Sequence, residues 1–335
     1  MTHLLVFSVA FVVVLVMTPV VRFVARKTNF VDVPSSRKTH KSPMPLLGGL
    51  SVFLGFLAAV GVGMYLLHEP VTRRFLGFMG GAFLMFLIGL VDDRVGLSPL
   101  TKLSGQLAAG LLLLFSGNTN GLITDGWMDM SLSLFWVVGI INAFNFLDNM
   151  DGISSGIAFI ASMAFLSICT LHGQLLTAIL AASAAGASLA FLRFNFNPAS
   201  IFLGDAGSMF LGYVMASVAL MSTWHQSSHL FLLVPVLILG YPIFDICLVT
   251  LIRYREGRGI YEAGKDHSSH RLAFLVRPPK GPVLVIYAMC LALALCGVVL
   301  SRYLTVTSAL IVAPLAGAGL LWLGVRLSGI PVHRS

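Results

Sequence analysis

The sequence predicts an all-α, polytopic integral membrane protein with about eleven transmembrane helices, and three observations carry that expectation. Hydrophobic residues make up 57% of the 335 residues and charged residues only 10%, whereas about a quarter of an average soluble protein is charged. The apolar residues come in runs of about 17 to 25, the length that crosses roughly 30 Å of hydrocarbon. Basic residues, finally, collect in alternate connections between those runs. Residues 1–335 are read as a single membrane-embedded domain.

The runs lie near residues 3–21, 47–67, 75–91, 99–116, 131–147, 153–171, 174–192, 208–223, 230–252, 283–300 and 304–325. The first lacks basic residues at its start and continues into Arg22, Arg26 and Lys27 without a small-residue cleavage site, so it reads as a retained helix and not as a secretory signal. The third runs into Asp92 and Asp93, the fifth into Asn145 and Asp148, and Ser208 opens the eighth. The ninth contains Asp245 several residues from its end. An ionisable group there is costly unless paired, and it reads as structural. The tenth and eleventh show no legible chemistry. Cys169, Cys247, Cys290 and Cys296 all fall within apolar runs without CxxC spacing, which indicates neither a disulfide framework nor a zinc site.

Alternating the eleven runs leaves only Arg73, Arg74 and Arg302 of the 21 basic residues on one side. The rich side is expected to be cytoplasmic, with the N-terminus outside and the C-terminus inside. Positive-inside loops facing anionic lipid also account for a sequence pI near 9.6 without a nucleic-acid partner.

Acidic residues follow the same division. Asp92, Asp93, Asp148, Asp151 and Asp205, with Asn142, Asn145, Asn195 and Asn197, all fall at or just beyond the cytoplasmic ends of predicted helices. One such residue is a helix stop; five clustered carboxylates repel one another and call for a cation. In the stretch INAFNFLDNMD, Asn142, Asn145, Asp148 and Asp151 recur every third residue, which puts them on one stripe if the helix continues. Carboxylate and amide oxygens are hard ligands suited to Mg²⁺ or Mn²⁺, and Mg²⁺ typically completes its shell with phosphate oxygens and water. FLGDAGSMFLG, Phe202 to Gly212, sets Asp205 between Gly204 and Gly207 at a helix start, where exposed N–H groups favour anions. Basic segments occupy the same side, in PSSRKTHKSPMPLLGG (Pro34 to Gly49) and RYREGRGIYEAGKDHSSHRL (Arg253 to Leu272).

Together these residues resemble the polyprenyl-phosphate N-acetylhexosamine-1-phosphate transferases, membrane enzymes that start cell-envelope glycans. The resemblance runs over roughly residues 20–275, through RKTHKSPMPLLGG, VDDRVGLSPLTKLSGQ, INAFNFLDNMDGISSG, FNFNPASIFLGDAGSMFLG and HSSHRL in order. It implies that Asp92 and Asp93 form an acidic pair near the lipid phosphate, and that Asn145 and Asp205 are the Mg²⁺ ligands. It also implies that Asp148 and Asp151 belong to the nucleotide-side motif. Lys102 stands where a phosphate-contacting lysine is expected, and Lys41, also assigned to substrate binding, where some members carry a basic residue; His267, His270 and Arg271 stand in the histidine motif that contacts the diphosphate. The implied partners are a UDP-N-acetylhexosamine, polyprenyl phosphate and the bilayer of the inner membrane, with the site on the cytoplasmic face; a homodimer is left open. Two departures stand out. Asn149 replaces the first glycine of a more common DGxDG, where Asn is expected to tolerate the left-handed turn, and HSSH replaces HxHH. The competing expectation is a cation-coupled transporter, whose acids would lie near the bilayer midplane.

Overall fold

The computed structural model describes residues 1–33, 42–118, 126–222, 229–259, 264, 266–276 and 279–330. The chain falls into two compact units, Met1–Trp224 and His225–Ser335, each of which is described by itself.

The described residues of the first unit form eight α-helices: α1 (Thr2–Lys27), α2 (Gly48–Leu67), α3 (Arg73–Val95), α4 (Pro99–Phe115), α5 (Trp127–Leu147), α6 (Ile153–Leu171), α7 (Leu175–Asn195) and α8 (Gly204–Met221). Two short strands, β1 (Val31–Asp32) and β2 (Met44–Pro45), pair antiparallel between α1 and α2. Local chemistry sets several of these ends. Thr72 accepts the Phe75 N–H to start α3, and Gly96, at φ 69°, stops it. Ser98 accepts the Thr101 N–H to start α4, with Pro99 in the first turn, where its missing N–H is no loss.

Helix α8 is the centre of this unit. Nearly every residue from Gly204 to Leu220 is buried, because α2, α3 and α5 pack around it. Phe210 meets the edges of Phe53 and Phe56 at centroid distances of 5.2 and 5.3 Å, an arrangement aromatic rings favour. The α2 and α8 backbones approach so closely that a β-carbon at Gly49 would run into Gly207. The first turn of α8 is thereby held among the ends of α2, α3 and α5.

The second unit contains a 3₁₀ turn (His229–Leu232), α9 (Leu233–Ile238), α10 (Gly240–Arg255), α11 (Ser268–Leu275), α12 (Lys280–Arg302) and α13 (Val306–Ser328). A reciprocal capping box between Thr305 and Ser308 starts α13, satisfying two N–H groups that the helix leaves open.

Nine helices among the described residues are long and apolar enough to cross a membrane, and α9 with α10 makes a tenth if taken together. Each of the eleven expected apolar runs does contain helix, but two differ from a simple span. The run at 99–116 becomes the 17-residue α4, about 26 Å long and short of the usual hydrocarbon thickness. The run at 230–252 is broken, with a 78° bend between Leu230–Ile238 and Gly240–Arg255. Gly240 and Pro242 open the second piece, and Pro fits the first turn of a helix because the N–H it lacks has no partner there.

Candidate active site

Four helix ends meet at one end of the first unit. The last turn of α3 supplies Asp92 and Asp93, the first turn of α4 supplies Lys102, the last turn of α5 supplies Asn145, and the first turn of α8 supplies Asp205. Lys102 Nζ lies 2.8 Å from Asp92 Oδ2 and 3.2 Å from Asp205 Oδ2, so one ammonium bridges two carboxylates. Asn145 Nδ2 donates to Asp205 Oδ1 at 2.9 Å and to Ser208 Oγ at 3.1 Å. Asp92 Oδ1 also accepts the Leu97 N–H at 2.6 Å, which ties the acid to the turn leading into α4.

Asp93 faces elsewhere. Its Oδ1 accepts the N–H of Asp205 at 2.8 Å and its Oδ2 that of Ala206 at 3.0 Å. Two adjacent acids on α3 therefore reach α8 differently, one through a side-chain ammonium and one through backbone amides.

The stripe expected from Asn142 to Asp151 divides among three partners. Asn142 exchanges hydrogen bonds with Gln106 of α4, at 2.6 and 3.3 Å, one turn along from the Lys102–Asn145 level. Asp148 ends α5; burial, then the charge of Asp205, with a smaller push from Asp151, raises its carboxyl to about 8 against a hydrogen bond from Ser154. Asp151, past the helix end, accepts Asn197 Nδ2 at 2.9 Å and the Ala199 N–H at 3.0 Å, and so holds the loop before α8. The left-handed residue of this turn is Gly152, at φ 83°, not Asn149. Asn149 keeps an ordinary backbone conformation and donates to the Phe146 carbonyl at 2.9 Å.

The second unit arranges the histidine segment around a buried acid. Asp245, fully buried in α10, holds His267 Nδ1 at 2.9 Å with Oδ2, and takes the Ser268 N–H at 2.8 Å and the Ser268 hydroxyl with Oδ1. Tyr241 Oη pairs with the same hydroxyl at 2.7 Å. His270 stands edge-on to His267, with ring centroids 6.4 Å apart. Arg271 is buried; its Nε donates to the Asp266 carbonyl at 2.9 Å and its Nη1 to the Leu327 and Ile330 carbonyls at 3.1 and 2.6 Å. It thereby ties α11 to the backbone at and just past the end of α13. Beside it, burial opposes the Asp266 charge, but hydrogen bonds from Arg258 and Arg253 outweigh it and hold the carboxyl below its ordinary value. Lys41 lies outside the described residues.

Among the described residues no three His, Cys, Asp or Glu side chains are grouped so as to hold a metal by themselves. What the site offers is two carboxylates, Asp92 and Asp205, against the one ammonium of Lys102, and the side-chain amide of Asn145, whose Nδ2 edge faces Asp205 here and whose oxygen would reach a shared ion if the amide turned over. That donor set fits a hard divalent ion sharing its shell with substrate phosphates, which is how Mg²⁺ usually binds, better than it fits an all-protein cage.

An all-α membrane protein with acids, an amide and a lysine gathered at one end of its helices has the charges that phosphoryl transfer needs placed, and residues 75–223 match the family model described as glycosyl transferase family 4. The chain is 33% identical over 304 residues, 88% of its length and 84% of the other's, to a protein of Bacillus subtilis (strain 168) named "probable undecaprenyl-phosphate N-acetylglucosaminyl 1-phosphate transferase". It is 32% identical over 307 residues, 80% of its length and 74% of the other's, to the decaprenyl-phosphate N-acetylglucosaminephosphotransferase of Mycobacterium tuberculosis (strain ATCC 25618 / H37Rv). A third relative is the undecaprenyl-phosphate alpha-N-acetylglucosaminyl 1-phosphate transferase of Escherichia coli (strain K12), 28% identical over 263 residues, 74% of this chain and 70% of that protein. The chain belongs to the polyprenyl-phosphate N-acetylhexosamine-1-phosphate transferase family. The transporter alternative finds no support in these relatives, nor in acids that sit at helix ends.

Proposed function

We propose that this protein transfers N-acetylglucosamine-1-phosphate from UDP-N-acetylglucosamine to a polyprenyl phosphate, undecaprenyl phosphate being the first choice, and releases UMP. The product, a polyprenyl diphosphate sugar, starts a cell-envelope glycan. The observation that carries this reading is the bridge from Lys102 to Asp92 and Asp205, in a chain related over most of its length to proteins named for that transfer. We read the whole chain as one transferase in the inner membrane. The positive-inside bias supports a site on the cytoplasmic face, where a nucleotide sugar that stays in water can meet a lipid that stays in the bilayer.

Asp205 would hold Mg²⁺, joined by the side-chain oxygen of Asn145 once that amide turns over from its present bond to Asp205. When bound, the ion neutralises charge on the transferring phosphoryl oxygens and orients them. Everything else is positioning and charge. Lys102 supplies a fixed ammonium for phosphate oxygens, and Asp92 keeps that ammonium in place. A lipid phosphate oxygen attacks the β-phosphorus of the donor, and the bond to the UMP oxygen breaks. The second pKa of a phosphate monoester is about 6, so the nucleophile arrives largely dianionic and needs little help from a base. His267, His270 and Arg271 are assigned to the donor's diphosphate, and Lys41 to phosphate contact. Asp148 and Asp151 shape the turn on the nucleotide side.

The test is direct. Purified protein with UDP-N-acetylglucosamine, undecaprenyl phosphate and Mg²⁺ is expected to release UMP, to stop when EDTA is added, and to form a lipid-linked sugar in equal amount. UMP release with no lipid product would overturn the reading.

A further inference from the structure

Two acids stand side by side at the end of α3, yet they point about 100° apart around the helix, as neighbours on a helix must. Asp92 turns to Lys102. Asp93 turns to the first turn of α8, accepting the N–H groups of Asp205 and Ala206 with one oxygen each.

Helix α8 has no cap of its own. The residue before it is Leu203, which makes no side-chain hydrogen bond to the first turn. An α-helix leaves four N–H groups open at its start, together with the positive end of its dipole. Asp93 supplies from another helix what a Ser, Asn or Asp at the N-cap ordinarily supplies from the same chain. The seat is close-fitting: a β-carbon on Gly204 would stand 2.5 Å from Asp93 Oδ2, and one on Gly89 would run into the Asp205 carbonyl and Ala206. Glycine at both positions lets the end of α3 lie against the start of α8.

We propose that Asp93 is a positioning residue, a cap donated across helices that fixes the backbone of Asp205 and so aims the Asp205 carboxylate at Lys102 and the reacting phosphates, and that it passes no proton during turnover. This divides the labour of the paired acids: Asp92 addresses the charged centre, Asp93 the scaffold beneath it. The inference rests on the proposed placing of Asp205 at the reacting centre.

The experiment compares wild type, Asp93→Asn, Asp93→Ala and Asp205→Asn in UMP release with lipid phosphate varied, between about pH 6 and pH 9, a range that spans typical acid and base limbs. Monodispersity and thermal melting establish that each variant is folded. A carboxamide keeps one acceptor oxygen, so Asp93→Asn is expected to retain turnover within roughly thirtyfold of wild type, while Asp93→Ala loses roughly a hundredfold or more. The loss should lie in kcat, with KM for the lipid little changed, and the pH profile of Asp93→Asn should keep the wild-type limbs. Should the alanine variant fail to insert, Asp93→Ser, whose hydroxyl is one bond too short to reach the α8 amides, takes its place and is expected to lose turnover as Asp93→Ala would. Asp93→Asn as inactive as Asp93→Ala, or missing a limb of the profile, makes Asp93 a proton-transfer group and overturns the proposal. Full turnover in both variants, with only a lower melting temperature, overturns it too, because the cap would then serve stability alone. An active Asp205→Asn removes the underlying site assignment instead, which separates failure of that reading from failure of this one.

Discussion

Asp245 Oδ2 lies 2.9 Å from His267 Nδ1, a buried pair formed across 22 positions of sequence. A carboxylate inside an apolar helix is tolerated when its lone pairs are used, and here His267 and Ser268 use both oxygens. The contact also fixes which ring nitrogen of His267 faces the acid, leaving Nε2 as the nitrogen on the opposite side of the ring. Removing one partner of such a pair costs about 3 to 5 kcal/mol. Asp245→Ala is therefore expected to lower the melting temperature in detergent sharply, and Asp245→Asn to do so less, because its carbonyl oxygen can still accept from Ser268. Equal melting of all three proteins would remove the pair from the stability of this unit.

Asp205→Asn and Asn145→Ala are expected to reduce UMP release by roughly a hundredfold or more while both proteins remain folded, since charge stabilisation at a phosphoryl centre is worth several kcal/mol. Steady-state kinetics on monodisperse protein checks this. Near-normal rates in both would remove the metal assignment.

The amide pair between Gln106 and Asn142 predicts a coupling. Asn142→Leu strands the buried Gln106 amide, a cost of about 1 to 3 kcal/mol, and Gln106→Leu leaves the half-buried Asn142 with its bond to the Val138 carbonyl alone. The double variant strands none, and is expected to melt closer to wild type than either single one. Additive losses would show that the two amides are not a unit.

The Asp266 carboxyl, with its pKa lowered in the folded protein by Arg258 and Arg253, predicts a pH dependence. A depressed pKa contributes stability above the unfolded value, and that contribution is lost as pH falls through the folded value. The melting advantage of wild type over Asp266→Asn should therefore be present at pH 7 and shrink in acid below about pH 4, near the ordinary carboxylate pKa. An advantage that persists in strong acid would refute the ion pairs as its source.

Finally, the proposed reaction exchanges one diphosphate linkage for another without water and should run backwards readily. Labelled UMP is expected to exchange into UDP-N-acetylglucosamine when lipid-linked product and Mg²⁺ are present. Exchange in lipid-free protein would point to a covalent enzyme intermediate and overturn direct attack.

Much of the fold was legible because a membrane span leaves a long, one-dimensional mark. The apolar runs bounded by Arg73, Asp92 and Asp148 mark helices directly, whereas α8 starts at Gly204, four residues before the expected Ser208; Asp92, Asn145 and Asp205 announce themselves as polar residues at or beside the ends of such runs. Pairings between distant segments leave no periodicity. Nothing near Asp93 in sequence indicates that its oxygens reach amides 112 and 113 residues away, and Asp245 gives no sign of which residue satisfies it. Gln106 carried a signal that went unread: a lone amide in an apolar helix, one turn after Lys102. The bend before α10 carried another, since Gly240 and Pro242 interrupt the ninth run. Arg271 shows the opposite limit, because a basic residue beside a histidine motif reads as a ligand contact, while its Nε and Nη1 lie on backbone carbonyls.

Helix α8 is the least apolar of the nine candidate spans and the most thoroughly enclosed by protein, which bears on biogenesis. Standing alone in lipid it would gain little from its own side chains, and Asp205 would oppose its insertion. Its packing partners, α2, α3 and α5, all precede it in the chain, so a growing polypeptide has already delivered them to the bilayer when α8 leaves the ribosome. The order of synthesis thus supplies a prepared berth, and a circular permutation that placed α8 first would test whether the helix can enter a membrane before its neighbours.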